Sequence, residues 1–92
     1  FEFEKEIHKH VNVPLQQNEF DALVSWVYNL GGTNLRESTL LIRINDNTDS
    51  SRADIPYQIR RWNRADGKVL DGLVRRRKAE ALLWEGKDWT VV

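Results

Sequence analysis

Residues Gln16 to Leu41, QQNEFDALVSWVYNLGGTNLRESTLL, constrain the fold more than any other stretch. A capped amphipathic helix runs there into a glycine pair and the start of another helix. Asn18 is placed to cap the first, with Glu19 and Asp21 in a first turn that favours acids. Phe20, Leu23, Val24, Val27 and Tyr28 recur at i, i+3, i+4, i+7 and i+8, a single apolar stripe. Gly31-Gly32 ends the helix, because glycine accepts the left-handed geometry that closes helix C-termini. Asn34 with Glu37 three residues on reads as the capping pair of a further helix. Leu40, Leu41 and Ile44 give that helix its buried side.

The flanking segments also read as helical. Phe1 to Val11 is a short amphipathic helix that ends before Val13-Pro14, because the residue before a proline avoids helical geometry. Asn45 to Ser51, NDNTDSS, is a turn-rich polar loop. A fourth helix starts near Ser51 to Pro56, with the proline tolerated in its first turn. It carries Ile55, Ile59 and Trp62 on one side. Asp66-Gly67 marks a turn. The last helix runs from about Leu70 to Trp84, with Leu70, Leu73, Val74, Ala81 and Trp84 inward, and Gly86 closes it. Nothing alternates with period two, so no strand is predicted. The expected class is all-α, with about five helices.

Length and composition narrow what such a bundle can do. Ninety-two residues make one small domain with a modest core. Hydrophobic content of 40% and charged content of 30% fit a globular chain, not a disordered one. No apolar run is long enough to span a bilayer, and the opening FEFEKE does not read as a signal peptide. With no cysteine there is no disulfide framework, no thiolate nucleophile and no cysteine metal site. His8 and His10 lie two apart on a helix and do not share a face, so they read as surface residues, not metal ligands. No cofactor is expected. There is also no methionine, so the chain is expected to be a processed or excised piece whose first residue is an artificial or proteolytic boundary.

The formal net charge is zero but unevenly spread. Between Gln58 and Lys78 stand eight basic residues and two acidic ones, whereas Glu2, Glu4 and Glu6 fall in the first ten positions. A basic face attracts acidic polymers, nucleic acid and cell-wall glycan among them. A DNA-reading helix, however, needs its arginines along one face, and Arg75, Arg76 and Arg77 spread around the helix. Nucleic acid is therefore not an expected partner, and Arg75 to Lys78 reads as a solvated helix face, with a grip on the carboxylates of cell-wall peptidoglycan as the alternative.

Three blocks, in order, resemble the phage-type lysozymes, endolysin muramidases of the lambdoid and T4 kind. They are VPLQQNEFDALVSWVYNLGG from Val13, NLRESTLLIRIND from Asn34 and IRRWNRADGKVLDGLVRRRKAEALL from Ile59. The resemblance implies two lobes joined by a long helix, with residues 1–12 the end of that helix and residues 13–92 the helical C-terminal lobe. It implies cleavage of the bond between N-acetylmuramic acid and N-acetylglucosamine in peptidoglycan. Synthesis would be in the host cytoplasm and action on the periplasmic wall. The catalytic glutamate of such enzymes lies in the N-terminal lobe, which would be a missing partner lying upstream of Phe1. The chain departs from the family at Leu35, usually aromatic, at Glu37, where a small polar residue is common, and in a slightly long loop from Asp46 to Ile55.

The residues agree that the acid is elsewhere. Glycosidic cleavage needs a carboxylic acid with a raised pKa in a partly desolvated pocket. Glu19 and Asp21 sit in a helix first turn, where the dipole lowers a carboxyl pKa. Glu37 reads as a cap, Asp46 and Asp49 lie in a polar loop, Asp66 is in a turn, and Glu80 can pair with Arg76 or Arg77. Ser25, Ser38 and Thr39 have no histidine in a triad-like pattern. Sugar binding is better supplied, since glycans present apolar faces and polar edges. Tyr28, Asn29, Arg61, Trp62 and Asn63 offer aromatics beside amides and a guanidinium. By resemblance, Asn29 and Gly31 touch the glycan from the cleft end of their helix, and Arg61, Trp62 and Asn63 form a cleft wall. Trp26 and Trp62 also read as core, and Asn29 as a helix-ending residue. Two functions follow: the substrate-holding lobe of a muramidase, inactive alone, or a non-catalytic peptidoglycan-binding or structural module derived from one. A lone lobe is expected to expose apolar surface and self-associate.

Overall fold

The computed structural model describes residues 2–92, so the predicted helix start at Phe1 lies outside the described residues. Six α-helices and one two-stranded hairpin follow in order: α1 Glu2–His10, α2 Gln17–Leu30, α3 Gly32–Arg36, α4 Thr39–Asp46, α5 Asp49–Arg60, β1 Arg64–Ala65, β2 Lys68–Val69 and α6 Asp71–Trp84. A single 3₁₀ turn, Trp89–Val91, closes the chain. The class is mostly helical, as the sequence predicts.

The hairpin corrects the expectation of no strands. Arg64 pairs with Val69 and Ala65 with Lys68, antiparallel. Asp66 (φ 52°) and Gly67 (φ 77°) both take positive φ, the geometry that two-residue hairpin turns select through Asp-Gly. Each strand is two residues long, too short to show alternation.

The packing centre is α2. Its buried residues are Glu19, Ala22, Leu23, Trp26 and Val27, while Tyr28 is exposed. That is again an i, i+3, i+4, i+7, i+8 stripe, turned one residue, or about 100°, from the predicted one. Trp26 decides the rotation: it is fully enclosed, and the ring of Trp62 meets it edge-on at 5.4 Å. Ile7 of α1, Leu35, Leu40, Ile44, Ile55 and Ile59 complete the core around it. The predicted buried sides of α4 and α5 hold, although Trp62 follows α5 instead of riding on it. On α6, Ala81 and Trp84 are buried, but Leu70 and Val74 are exposed where they were expected inward.

Several caps differ from the sequence reading. Asn18 does not cap α2; its amide donates to the carbonyls of Leu83 (3.1 Å) and Trp84 (2.9 Å), at the end of α6. The N-terminus of α2 is held instead by Glu19, whose carboxylate accepts from the Gln16 N–H at 2.9 Å. Asn34 lies inside α3 and donates to the Leu30 carbonyl at the end of α2 (2.6 Å). The true cap of α4 is Ser38, which accepts from the Leu41 N–H at 3.1 Å. The predicted loop from Asn45 to Ser51 shrinks to Asn47 and Thr48, since Thr48 and Ser51 form a capping box and start α5 at Asp49. Pro56 therefore lies inside α5, past its first turn, where its missing N–H deprives the Arg52 carbonyl of its usual donor.

Candidate functional site

The two segments expected to hold a ligand lie at helix ends. Tyr28 and Asn29 are exposed in the last turn of α2. Gly31 closes that helix at φ 91°, donating its N–H to the Val27 carbonyl at 2.8 Å. The positive φ explains why glycine stands there. The ring of Phe3 meets that of Tyr28 edge-on at 5.1 Å. The side chain of Asn34 occupies the Leu30 carbonyl, so the backbone at this helix end is partly satisfied from within.

Arg61, Trp62 and Asn63 leave the end of α5. Arg61 donates its N–H to the Tyr57 carbonyl (3.1 Å), and Asn63 accepts from the Leu70 N–H (3.1 Å), which ties this segment to the start of α6. Trp62 is half-buried against Trp26, and through that contact the segment rests on α2 two residues before Tyr28. Arg61 and Asn63 line a groove with Tyr57, Arg60, Arg64 and Lys78, which Tyr28, Asn29 and Gly31 do not line. The six candidate residues thus fall on two patches joined by a tryptophan pair, not in one cavity.

A relay that sequence reading missed orients Arg61. Arg43 donates to Asp54 at 3.0 Å, the buried Gln58 donates to the same oxygen at 2.8 Å, and Arg61 donates to the Gln58 carbonyl oxygen at 2.9 Å. The Gln58 amide, then the Arg43 guanidinium, hold the Asp54 carboxyl below its ordinary range. The spacing Asp54, Gln58, Arg61 is i, i+4, i+7, one helix face, which was the available signal.

The second missed cluster is buried. Arg77 is fully enclosed, which corrects the reading of Arg75 to Lys78 as a solvated face. Arg77 lies against Glu80 with Nε 2.8 Å and Nη2 3.0 Å from its two carboxylate oxygens. Ser25 of α2 donates to Glu80 at 2.5 Å. Burial pushes the Glu80 carboxyl above its ordinary value, against the opposing pull of Ser25, Arg77 and Arg76. Although a raised pKa is what a catalytic acid needs, Glu80 is 3% exposed and held from two sides, so no substrate oxygen reaches it. Glu19 is paired with Arg52, and Asp21 and Asp46 accept from Gln17 and Thr48. His10 departs from the surface reading: its Nε2 is buried, 3.4 Å from Glu6. Among the described residues, no group of three or more His, Cys, Asp or Glu could hold a metal ion.

The family model for phage lysozyme matches residues 1–80. The chain belongs to the phage lysozyme family. It is 43% identical to the endolysin of Bacillus phage PZA over 79 residues, covering 85% of this chain and 29% of that protein. It is 39% identical to the SAR-endolysin of Bacteriophage PS119, covering 87% of this chain and 47% of that one. Among solved structures, the muramidase domain of SpmX from Asticaccaulis excentricus superimposes with a TM-score of 0.80 at 31% identity, over 91% of this chain and 58% of that one. The chain thus spans less than half the length of either endolysin.

Proposed function

We propose that this chain is the C-terminal helical lobe of a muramidase that hydrolyses the β-1,4 bond between N-acetylmuramic acid and N-acetylglucosamine in bacterial peptidoglycan. Residues 1–12 are the end of an interlobe helix and residues 13–92 the lobe. Tyr28, Asn29 and Gly31 at the end of α2, and Arg61, Trp62 and Asn63 after α5, hold the glycan. A carboxylic acid from a further lobe supplies the proton to the leaving oxygen. The observation that carries this reading is the exposure of Tyr28 and Asn29 beside the Gly31 cap in a chain that matches the phage lysozyme model. Flat rings and fork-like donors at such a site suit a sugar's apolar face and hydroxyl edge. Action is on the cell wall, in keeping with the endolysin relatives.

The test is a pull-down of the chain on purified peptidoglycan sacculi, with turbidity clearing measured in parallel. Binding without clearing is expected, and Asn29→Ala combined with Asn63→Ala is expected to weaken it about tenfold or more while melting stays unchanged. Clearing by the chain alone overturns the assignment of the acid to another lobe. Absence of binding overturns the glycan-holding role.

A further inference from the structure

The end of α5, the hairpin and the first turns of α6 form a surface that the glycan reading leaves mostly unused. The groove between α5 and α6 holds four cations, Arg60, Arg61, Arg64 and Lys78, and no acid lines it. Arg61 is engaged by Gln58, but the exposed side chains of Arg60, Arg64 and Lys78 have no hydrogen-bond or ion-pair partner among the described residues. Asp66 in the hairpin turn and Asp71 in the first turn of α6 are exposed on the same surface but pair with none of these cations among the described residues, so the surface keeps a net positive charge that favours an anionic partner.

The same face is apolar as well. Tyr57 and Val74, which line the groove, are 55% and 37% exposed, and Val69 and Leu70 beside it are 52% and 44% exposed. These aliphatics are fixed next to the cations by backbone, since Val69 pairs with Arg64 across the hairpin and the Leu70 carbonyl accepts from the Val74 N–H at 2.9 Å. Exposed aliphatic side chains among unpaired arginines and lysines match the boundary of a lipid bilayer. There the apolar groups enter the acyl edge, the cation stems lie along it, and the charged heads meet lipid phosphates.

We propose that this face docks on the surface of an anionic phospholipid bilayer. A single strand would use the cations but stacks successive bases on several aromatics, and Tyr57 is the one aromatic that lines the groove, while a duplex would use the cations alone. It would leave Val69 and Leu70 in water. The docking face shares its groove with Arg61 and Asn63 of the glycan-holding reading, but the residues substituted below, Arg60, Arg64, Lys78, Val69 and Leu70, take no part in that reading.

The test is co-sedimentation of the 92-residue chain with vesicles of phosphatidylglycerol and phosphatidylethanolamine, against phosphatidylcholine vesicles and against a short DNA duplex. The chain is expected to pellet with the anionic vesicles, to stay in the supernatant when phosphatidylcholine vesicles sediment, and to release as salt rises. Arg60→Glu with Arg64→Glu and Lys78→Glu is expected to lower partitioning about tenfold or more. Val69→Ser with Leu70→Ser is expected to lower it several-fold at unchanged charge. Circular-dichroism melting confirms that each variant is folded, and the single variants Lys78→Glu and Val69→Ser replace any that is not. Equal binding to phosphatidylcholine, insensitivity to charge reversal, insensitivity to the serine pair, or duplex binding as tight as vesicle binding would each overturn the proposal.

Discussion

Arg77 and Glu80 are charges that the fold takes out of water, and each depends on the other to stay there. Removing one partner of such a pair strands a buried charge, which destabilises by about 3–5 kcal/mol, whereas replacing both by apolar groups is far milder. Arg77→Met is therefore expected to lower the urea midpoint strongly, and Arg77→Met with Glu80→Leu to recover much of the loss. A double variant whose loss equals the sum of the Arg77→Met and Glu80→Leu losses would show that the pair is not coupled. Asp54 behaves differently, being partly exposed. Gln58 and Arg43 depress its folded pKa below the ordinary 3.8, so its contribution to stability is present above that value and is lost as pH falls through the folded one. Asp54→Asn is expected to flatten the acid limb of a urea-midpoint curve taken downward from pH 3.8. An unchanged limb would assign acid unfolding to other carboxylates.

At the scale of elements, asparagines act on helices other than their own. Asn45 of α4 donates to the His10 carbonyl at 2.9 Å and accepts from the Asn12 N–H at 2.9 Å, so one side chain clasps the end of α1. Asn45→Ala is expected to cost about 1–2 kcal/mol and to raise amide exchange throughout α1. Exchange raised only around α4 would refute the clasp. Such roles were not legible in the sequence. Asn18, Asn34 and Asn45 have the composition of local caps or loops, and nothing local says that the orphan carbonyls they serve lie on another helix. What could be read was local: the stripes Leu40, Leu41, Ile44 and Ile55, Ile59, the closures at Gly31 and Gly86, and the Asp66-Gly67 turn. The stripe of α2 was misread by one residue because Ala22 and Trp26 define it only once Trp62 packs on α2. Arg77 was misread because one of the groups that fix its partner, Ser25, lies 55 positions from Glu80. The candidate site was legible as residue types at two motif positions, but their separation into two patches was not.

Across the whole molecule, apolar groups remain in water away from the hairpin face. Tyr28 and Ile42 are both more than half exposed. Concentration-dependent self-association is the expected outcome in sedimentation velocity, and a monomer at every accessible concentration would sink that expectation. Joining the ends of the helices has a further result. The last carbonyls of α6 are satisfied by Asn18, 65 and 66 positions earlier, those of α2 by Asn34 and those of α1 by Asn45. The final turn of α6 closes on itself through the N–H groups of Gly86 and Lys87, and Asn18 lays a strap across that closure, so fraying there must also detach α6 from α2.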